Sequence, residues 1–199
     1  MHAATMGPVI ALPALLAAGA ALVLAGGPGT PAGAPLPDFL EMEVMGVVPL
    51  EDGDANLLVL ARKDAESVLT MVIGRPEAAA IDAKLRHATP PRPMTHDLLG
   101  SAIGELGGKV ERVEIVGYRD AIFLARVRVR QGARSLSLDA RPSDSVALAL
   151  RVGAPIFAAR KVVEEQGISR ADLEKMRRRG ETPSHPPRIP PRIEGTQSL

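Results

Sequence analysis

The 199-residue sequence contains no cysteine and no tryptophan, and aromatic residues make up only 2% of it. Without cysteine the chain has no disulfide bond, no thiolate metal ligand and no cysteine nucleophile. With so few aromatic side chains it has little from which to build a surface that stacks single-stranded bases. Because 46% of the residues are hydrophobic, we expect a core built from valine, leucine, isoleucine and alanine.

A strong net charge is also lacking, since 24 Lys and Arg residues face 23 Asp and Glu residues. Residues 39–167 carry 17 basic and 18 acidic side chains, whereas residues 168–199 carry 7 and 4. This balance excludes a protein that is basic over its whole surface. Any contact with nucleic acid must therefore be made by a local patch.

The amino-terminal 37 residues have the pattern of a targeting segment. Residues 9–25 form an apolar run without a charge, and residues 26–37 are rich in Gly, Pro and Ala. We predict a signal peptide cleaved after Ala25, followed by a linker, and hence export to the periplasm or the medium. The region before the run has no Lys or Arg, so two alternatives stay open. The run is an uncleaved membrane anchor, or the true start is Met42 and the protein is cytoplasmic.

The rest of the chain divides into strand-like and helix-like segments. Apolar alternation predicts strands at residues 40–48, 57–61, 68–73, 109–118, 121–130 and 134–139. Helical spacing of apolar residues predicts helices at about 76–87, 95–106, 143–152 and 161–166, with a short apolar segment at 155–158 between the last two. This order is not a regular βαβ alternation. It predicts a single α+β domain over residues 38–167, with a mostly antiparallel or mixed sheet and helices packed on one side of it. Residues 168–199 are expected to form a charged helix, capped by Ser169, and a Pro-rich disordered tail.

Two polar clusters stand where predicted helices begin. Glu77 opens the first helix and is a candidate metal ligand, although a carboxylate in a first turn also simply complements the helix dipole. Arg92, His96 and Asp97 surround the start of the second helix, with Thr95 as the expected N-cap. A His beside an Asp suits acid/base chemistry, and a guanidinium suits phosphate binding. The alternative is a capped helix with a solvated His.

A third cluster joins the last long strand to the third helix. Pro142, Ser143 and Asp144 are explained by helix initiation and capping alone. Asp139 and Arg141 are not, because they alternate along the incoming strand and point to the same side. If Asp139 and Asp144 converge, they are suited to a divalent cation such as Mg²⁺ or Mn²⁺, with Glu77 as a third ligand.

A row of guanidiniums is predicted on the second strand of the later group. Arg126, Arg128 and Arg130 lie on one face, about 7 Å apart along the strand. This spacing roughly matches successive phosphates of an extended strand, so Arg126 and Arg128 are candidate substrate-binding residues. The alternative is a solvated outer face with Val127 and Val129 turned inward.

Taken together, the clusters resemble the bifunctional nuclease domain family. The resemblance is carried by residues 71–81 (MVIGRPEAAAI), 92–99 (RPMTHDLL), 106–110 (LGGKV) and 139–150 (DARPSDSVALAL). It covers about Met42 to Gly167. The positions that match the polar residues of the family's motifs are Glu77, Arg92, Thr95, His96, Asp97, Asp120, Asp139, Arg141, Ser143 and Asp144.

The resemblance implies an α+β domain that forms homo-oligomers and hydrolyses DNA and RNA. It does not bring an established mechanism, so the roles are assigned from the residues. The sequence departs from the family after Asp120, where Ala121 stands in place of the usual Gly. It departs again at the amino terminus, because most relatives begin near Met42. This extension is what makes the protein a candidate for export, or for membrane attachment if the segment is uncleaved.

The leading hypothesis is a metal-assisted phosphodiesterase. His96, Asp97, Asp139 and Asp144 would be catalytic, with Glu77, Asp139 and Asp144 holding Mg²⁺ or Mn²⁺. Arg92 and Arg141 would clamp phosphate, and Arg126 and Arg128 would bind the rest of the substrate. The competing hypothesis is a non-catalytic oligomeric binding module in which the same residues are helix caps and structural salt bridges.

Overall fold

Two antiparallel meanders, joined by one inserted strand, form the sheet of this protein. The computed structural model describes residues 38–50, 55–62 and 66–179. The described residues form eight strands: β1 (Phe39–Pro49), β2 (Ala55–Ala61), β3 (Ser67–Gly74), β4 (Gly108–Arg119), β5 (Ile122–Gln131), β6 (Arg134–Ala140), β7 (Ile156–Ala159) and β8 (Gly167–Ser169). They also form five helices: α1 (Arg75–Leu85), α2 (Thr95–Glu105), α3 (Pro142–Val152), α4 (Arg160–Gln166) and α5 (Arg170–Arg179).

The strand order is β6-β5-β4-β7-β1-β2-β3-β8. Each neighbouring pair is antiparallel except β4 and β7, which are parallel. The parallel pair follows from α3, which carries the chain from β6 back across β5 and β4 before β7 begins. The prediction of an α+β domain with a mostly antiparallel, mixed sheet is confirmed.

The main core lies between the sheet and the helices α1, α3 and α4. Its fully buried side chains include Leu58 and Leu69 of the sheet, Ile81 of α1 and Val146 and Leu148 of α3. Valine, leucine, isoleucine and alanine supply almost all of it, as the shortage of aromatic residues requires. Burial of such side chains is worth about 1.5–3 kcal/mol each, so this layer fixes how the three helices stand on the sheet.

A second, smaller apolar cluster lies on the other face of the sheet. Leu57, Val59 and Ala61 alternate along β2 with the residues of the main core, and Leu173 of α5 packs against them. Strand β8 pairs with β3 just before α5. The folded unit therefore extends past the boundary expected at residue 167. Ser169 caps α5 as predicted, since its Oγ accepts the N–H of Asp172 at 3.0 Å.

The turn between β4 and β5 places two residues in the left-handed region. Asp120 has a φ of 51° and Ala121 a φ of 64°. A two-residue hairpin with both central residues at positive φ usually carries glycine, because a Cβ is strained there. The departure noted at Ala121 therefore falls at a position where the missing glycine has a steric consequence.

The structure leaves some sequence-based expectations open. The predicted signal segment or anchor, its linker and the Pro-rich tail lie outside the described residues, so export stays a prediction. Among the helices of the described ranges, none is long and apolar enough to cross a bilayer.

Candidate active site

The amino-terminal turns of α1, α2 and α3 converge at one end of the helix layer. They bring together Glu77 of α1, His96 of α2 and Asp144 of α3, with Arg141 at the N-cap of α3. Helix N-termini attract negative charge, because their free N–H groups and aligned dipoles face outward. This accounts for two carboxylates in first turns, but it does not account for the cation and the imidazole between them.

Arg141 bridges the two carboxylates. Its Nη2 lies 2.9 Å from Oε1 of Glu77, and its Nε lies 2.7 Å from Oδ2 of Asp144. A second bond of 3.2 Å joins Nη2 to Oδ1 of Asp144, which makes the contact with this residue bidentate. The side chain is still 68% exposed. Arg141 therefore lies over the pair of carboxylates on the solvent side, and Nη1 is not used in these contacts.

These contacts also change the proton affinity of the guanidinium. The hydrogen bond to Asp144 is the largest influence on the guanidinium, and burial, which lowers the pKa, is the second. With the added charges of Asp144 and Glu77 the net effect is a raised pKa of Arg141. Arg141 is thus a permanent cation. It cannot serve as an acid or base in any accessible pH range, and it can act only by binding or by charge stabilisation.

His96 is buried and contacts the same carboxylate. Its side chain is 11% exposed, and Nε2 lies 3.2 Å from Oδ1 of Asp144. The solvated His considered from the sequence is therefore wrong. A carboxylate at one ring nitrogen orients the imidazole and selects its tautomer, and it leaves Nδ1 as the other proton-exchanging atom.

Asp97 and Arg151 form a second ion pair behind His96. Nε of Arg151 lies 2.9 Å from Oδ1 of Asp97. The contact is an ion pair but not a hydrogen bond, because the N–H does not point at the oxygen. The Arg151 side chain is only 5% exposed. It also donates to the carbonyl oxygens of Ala147 and Ala80, at 3.0 and 3.1 Å. A single buried cation therefore ties α3 to α1 and α2.

Helix α2 begins differently from the sequence-based expectation. Thr95 was the expected N-cap, but Met94 occupies that position and Thr95 is the first helical residue. Asp97 reaches back instead, and its Oδ2 accepts the N–H of Met94 at 2.9 Å. The cap therefore comes from Asp97, the third residue of the helix, and the ion pair with Arg151 holds its carboxylate in place.

Helix α3 also begins without the expected cap. Asp144 is turned toward Arg141 and His96, and Ser143 is buried. Ser145 donates instead to the carbonyl of Arg141 at 3.0 Å. Capping therefore does not account for Asp144, whose side chain is committed to the cluster.

Glycine at the end of β3 makes room for Glu77. A Cβ on Gly74 would lie 2.6 Å from Oε2 of Glu77. The carboxylate therefore folds back over the glycine, with its other oxygen on Arg141. This close approach explains why glycine stands three residues before Glu77.

Arg92 lies beside the cluster in a shallow cleft. The cleft has a volume of about 330 Å³ and is lined by residues of the loop before α2, the end of α1 and the Asp97–Arg151 pair. Its charged lining residues are Lys84, Arg92, Asp97 and Arg151. Three cations against one carboxylate make the cleft favourable for an anion.

The structure does not bring the remaining predicted residues into this cluster. Arg126 lies opposite Asp139 in the β5–β6 pairing, and opposite Glu114 in the β4–β5 pairing. Val127 and Val129 point into the core, so their neighbours Arg126 and Arg128 point to the face of the sheet away from α3. Asp139 is on that outer face too, and Asp144 is at the helix layer.

The outer face carries charged pairs that the sequence reasoning missed. Nε of Arg112 lies 2.7 Å from Oε1 of Glu114, and both side chains are buried. Nε of Arg130 lies 2.6 Å from Oε1 of Glu111. Arg130 of the predicted row is thus already paired. Nε of Arg128 is buried and has no hydrogen-bond partner among the described residues.

The predicted metal site is not assembled by these positions. No group of three or more His, Asp or Glu side chains in the described part of the chain is placed to hold a metal ion. Glu77 and Asp144 do meet, but through the guanidinium of Arg141. The cation between these two carboxylates is the guanidinium of Arg141.

Comparison with known proteins identifies the family. The family model described as the bifunctional nuclease domain matches residues 58–171. Relatives include the uncharacterized protein Rv1829 of Mycobacterium tuberculosis, 37% identical over 128 residues that cover 64% of this chain and 76% of the relative. Bifunctional nuclease 2 of Oryza sativa subsp. japonica is 27% identical over 135 residues, 65% of this chain and 38% of the plant protein. Because the family model spans more than half of the chain and all the clustered residues, this protein belongs to the bifunctional nuclease domain family.

Proposed function

We propose that this protein is a nuclease that hydrolyses phosphodiester bonds of DNA and RNA. The observation that carries the proposal is the His96–Asp144 contact beside an exposed, doubly paired Arg141, in a chain whose plant relatives are named bifunctional nucleases. An imidazole held by a carboxylate supplies general acid–base catalysis, and a guanidinium facing solvent stabilises negative charge on a phosphate, and both contribute to phosphodiester hydrolysis.

The proposed chemistry uses each group once. His96 takes a proton from the attacking water, whose oxygen bonds to phosphorus while the bond from phosphorus to the departing sugar oxygen breaks. Asp144 holds the imidazole and stabilises the imidazolium that forms. Arg141 offers the N–H groups of Nη1 to the phosphate oxygens, where negative charge accumulates. A solvent water protonates the departing oxygen, and the imidazolium of His96 returns its proton to solvent.

Other residues around the cluster have supporting roles in the proposal. Asp97 and Arg151 hold the start of α2, and so the position of His96. Arg92 lies in the neighbouring cationic cleft, where it would bind a phosphate next to the one that is cleaved. Arg126, Arg128 and Asp139 lie on the outer face of the sheet, so a binding role there requires substrate that extends beyond the cluster.

Assistance by Mg²⁺ or Mn²⁺ is a separate part of the proposal. Glu77 and Asp144 are the carboxylates available to such an ion, and Arg141 already bridges both. No step above depends on a metal. Cleavage that persists in EDTA is therefore the expected result, and strict dependence on Mg²⁺ or Mn²⁺ would show that the steps above are incomplete without an ion.

One observation favours the competing binding-module function. The ionisable side chains of the cluster are paired with one another, as in a purely structural network: Glu77, His96 and Asp144 around Arg141, and Asp97 with Arg151. Under this alternative, substitutions in the cluster lower stability and leave no catalytic activity to lose.

The test is a cleavage assay on the purified 199-residue chain with DNA and RNA, in Mg²⁺, in Mn²⁺ and in EDTA. The wild type is compared with His96→Ala purified in parallel. We expect cleavage by the wild type and a loss of at least about 100-fold in the variant. Equal trace cleavage by both proteins would mean contamination, and the nuclease proposal would fail.

A further inference from the structure

Two exposed cations line the shallow cleft beside the cluster, which we call the Arg92 cleft. Lys84 lies in the last turn of α1, and Arg92 lies in the loop before α2. Within the described part of the chain, neither side chain has a carboxylate or carbonyl partner. Arg86, two positions from Lys84, is instead paired with Asp82 at 2.9 Å. The protein therefore leaves the charges of Lys84 and Arg92 uncompensated.

The end of α1 explains Lys84 only in part. A cation in the last turn of a helix complements the helix dipole. The carbonyl groups at this end are already bonded, however, because the N–H of Ala88 donates to Ala83 at 2.8 Å and the N–H of His87 donates to Lys84 at 3.1 Å. This is the hydrogen-bond pattern of a Schellman motif. The ammonium of Lys84 is therefore not needed to satisfy those carbonyl oxygens.

Prolines on both sides restrict the backbone of Arg92. The residue follows Pro90 and Pro91 and precedes Pro93. Each proline fixes its own φ, and Pro93 also limits the conformation of the residue before it. Because proline has no N–H, this loop offers an anion the guanidinium of Arg92 and few backbone donors. A cation that is held in place before binding loses less conformational entropy when a ligand arrives.

The charge of the Arg92 cleft suits a doubly charged anion. Its lining carries Lys84, Arg92 and Arg151 against Asp97, which leaves a net charge of two. Since Arg151 is paired with Asp97 at 2.9 Å, the charges open to a ligand are those of Lys84 and Arg92. A phosphodiester inside a strand carries one negative charge, whereas a phosphate monoester carries about 1.5–2 at pH 7. The cleft therefore matches a monoester better than a diester.

The size and lining of the Arg92 cleft suit a small organic phosphate. Its volume of about 330 Å³ lies at the lower end of the range for small-molecule sites, roughly 300–1,000 Å³. Beside the cations, Ala88, Pro90, Pro91 and Met94 form an apolar part of the lining. A sugar or a base can pack against these side chains while its phosphate contacts Lys84 and Arg92. The cleft therefore offers more than a site for an inorganic ion.

The Arg92 cleft lies next to the cluster of His96, Asp144 and Arg141. Nη1 of Arg151, in the lining of the cleft, donates to the carbonyl oxygen of Ala147 at 3.0 Å. Ala147 follows Asp144 by three residues, which is about 4.5 Å along α3. On α2, His96 contacts Asp144 and the adjacent Asp97 contacts Arg151. The two sites are therefore close enough for neighbouring phosphates of one strand to occupy both.

We propose that the Arg92 cleft binds a phosphate monoester, with Lys84 and Arg92 as its cationic ligands. Two sources have this chemistry: the phosphorylated end of a nucleic-acid strand and a free nucleoside monophosphate. With a strand end in the cleft, the neighbouring phosphodiester lies at the cluster, and the protein trims phosphorylated ends. Trimming rests on the proposed nuclease function, whereas the monoester site does not.

An NMR titration of the full chain with thymidine 5′-monophosphate and with its methyl ester tests the site. Neither ligand has an internucleotide bond, so the result does not depend on cleavage. We expect amide shifts at residues 84–97 and a dissociation constant at least about fivefold lower for the monoester than for the methyl ester. Arg92→Ala should raise the constant about tenfold, and Lys84→Ala should raise it too. The matched control Arg86→Ala should leave it within about twofold.

Three results would overturn the proposal. They are no binding of the monoester at about 10 mM, equal affinities for the monoester and its methyl ester, and equal losses in Arg92→Ala and Arg86→Ala. A protein that binds the monoester as expected but cleaves neither DNA nor RNA would remove the nuclease proposal and keep the monoester site. The two failures are therefore distinguishable.

Short oligonucleotides with a 5′-phosphate, a 3′-phosphate or no terminal phosphate separate the two sources of the monoester. They are titrated into His96→Ala, so that cleavage does not consume them. Tighter binding of a phosphorylated strand, lost when Arg92→Ala is added, assigns the cleft to strand ends. Binding of the free nucleotide with no gain from either terminal phosphate assigns it to a free nucleoside monophosphate.

Discussion

Nε2 of His96 lies 3.2 Å from Oδ1 of Asp144, and the same carboxylate is bound by Nε of Arg141 at 2.7 Å. One side chain thus orients a buried imidazole and an exposed guanidinium together. The three residues come from the starts of two helices that lie 48 positions apart in the sequence. The account of function depends on this shared contact.

Arg141→Lys tests whether the shape of the guanidinium matters. A lysine keeps the charge but cannot bridge Glu77 and Asp144 as a planar fork while also presenting donors to a phosphate. We expect cleavage efficiency to fall about 10- to 100-fold, with stability changed by less than about 1 kcal/mol because the side chain is mostly exposed. Steady-state kinetics and urea unfolding measure the two effects. Arg86→Lys, an exposed pair with Asp82, is the matched control.

Arg151→Met should act on stability. It removes a buried cation and leaves the carbonyl of Ala80 without its donor and Asp97 without its ion pair. We expect a loss of about 2–4 kcal/mol in the free energy of unfolding, measured by urea denaturation. Arg86→Met should change it by less than about 0.5 kcal/mol. Similar small effects for both variants would show that Arg151 does not tie the three helices together.

Ala121→Gly should stabilise the protein. Ala121 has a φ of 64°, where a Cβ costs about 1–2 kcal/mol, while the added freedom of the unfolded glycine costs about 0.4–1 kcal/mol. A net gain of about 0.5–1 kcal/mol is expected, measured by the shift of the thermal midpoint. Gly132→Ala, at a φ of 57° in open space, should shift it in the opposite direction.

The start of α5 should depend on pH. The hydrogen bond from Ser169, followed by the bond and charge of Lys175, lowers the pKa of Asp172 below its ordinary value of 3.8. Because the pKa of Asp172 is lower in the folded than in the unfolded protein, the ionised carboxylate stabilises the helix start at pH values above the unfolded pKa. This contribution is lost as the pH falls through the folded pKa. Amide NMR shifts of α5 between pH 5 and 2 should follow that titration. In Ser169→Ala the Asp172 titration should move toward higher pH.

Much of the fold was predictable from the sequence because it depends on local periodicity. Apolar alternation located β1 to β6, and helical spacing located α1 to α4, since both patterns reflect a choice between buried and exposed sides. The three-residue strand β8 was missed, because such a segment has too few residues to show a period. The parallel pairing of β7 with β4 depends on where α3 returns the chain, which local patterns do not contain.

The candidate site was predicted in part, for a similar reason. His96 and Asp144 were selected by motif, but their contact depends on how α2 packs on α3. Strand alternation put Asp139 on the same side as Arg141 and put Arg126 in a row with Arg128. It could not show that Asp139 and Arg126 lie on the face of the sheet away from the helices. Arg151 looked like one more residue of an apolar helix. Only burial against Ala80 and Asp97 distinguishes it, and burial is a tertiary property.

The most direct test is the rate of phosphodiester cleavage by Asp144→Asn, compared with wild type and with Asp82→Asn, an exposed carboxylate on α1 that pairs with Arg86. The asparagine keeps the shape of the side chain but removes the charge that Arg141 and His96 share. The account predicts a rate lower by about 100-fold or more for Asp144→Asn, and a wild-type rate for Asp82→Asn. A folded Asp144→Asn protein that cleaves as fast as wild type would contradict it.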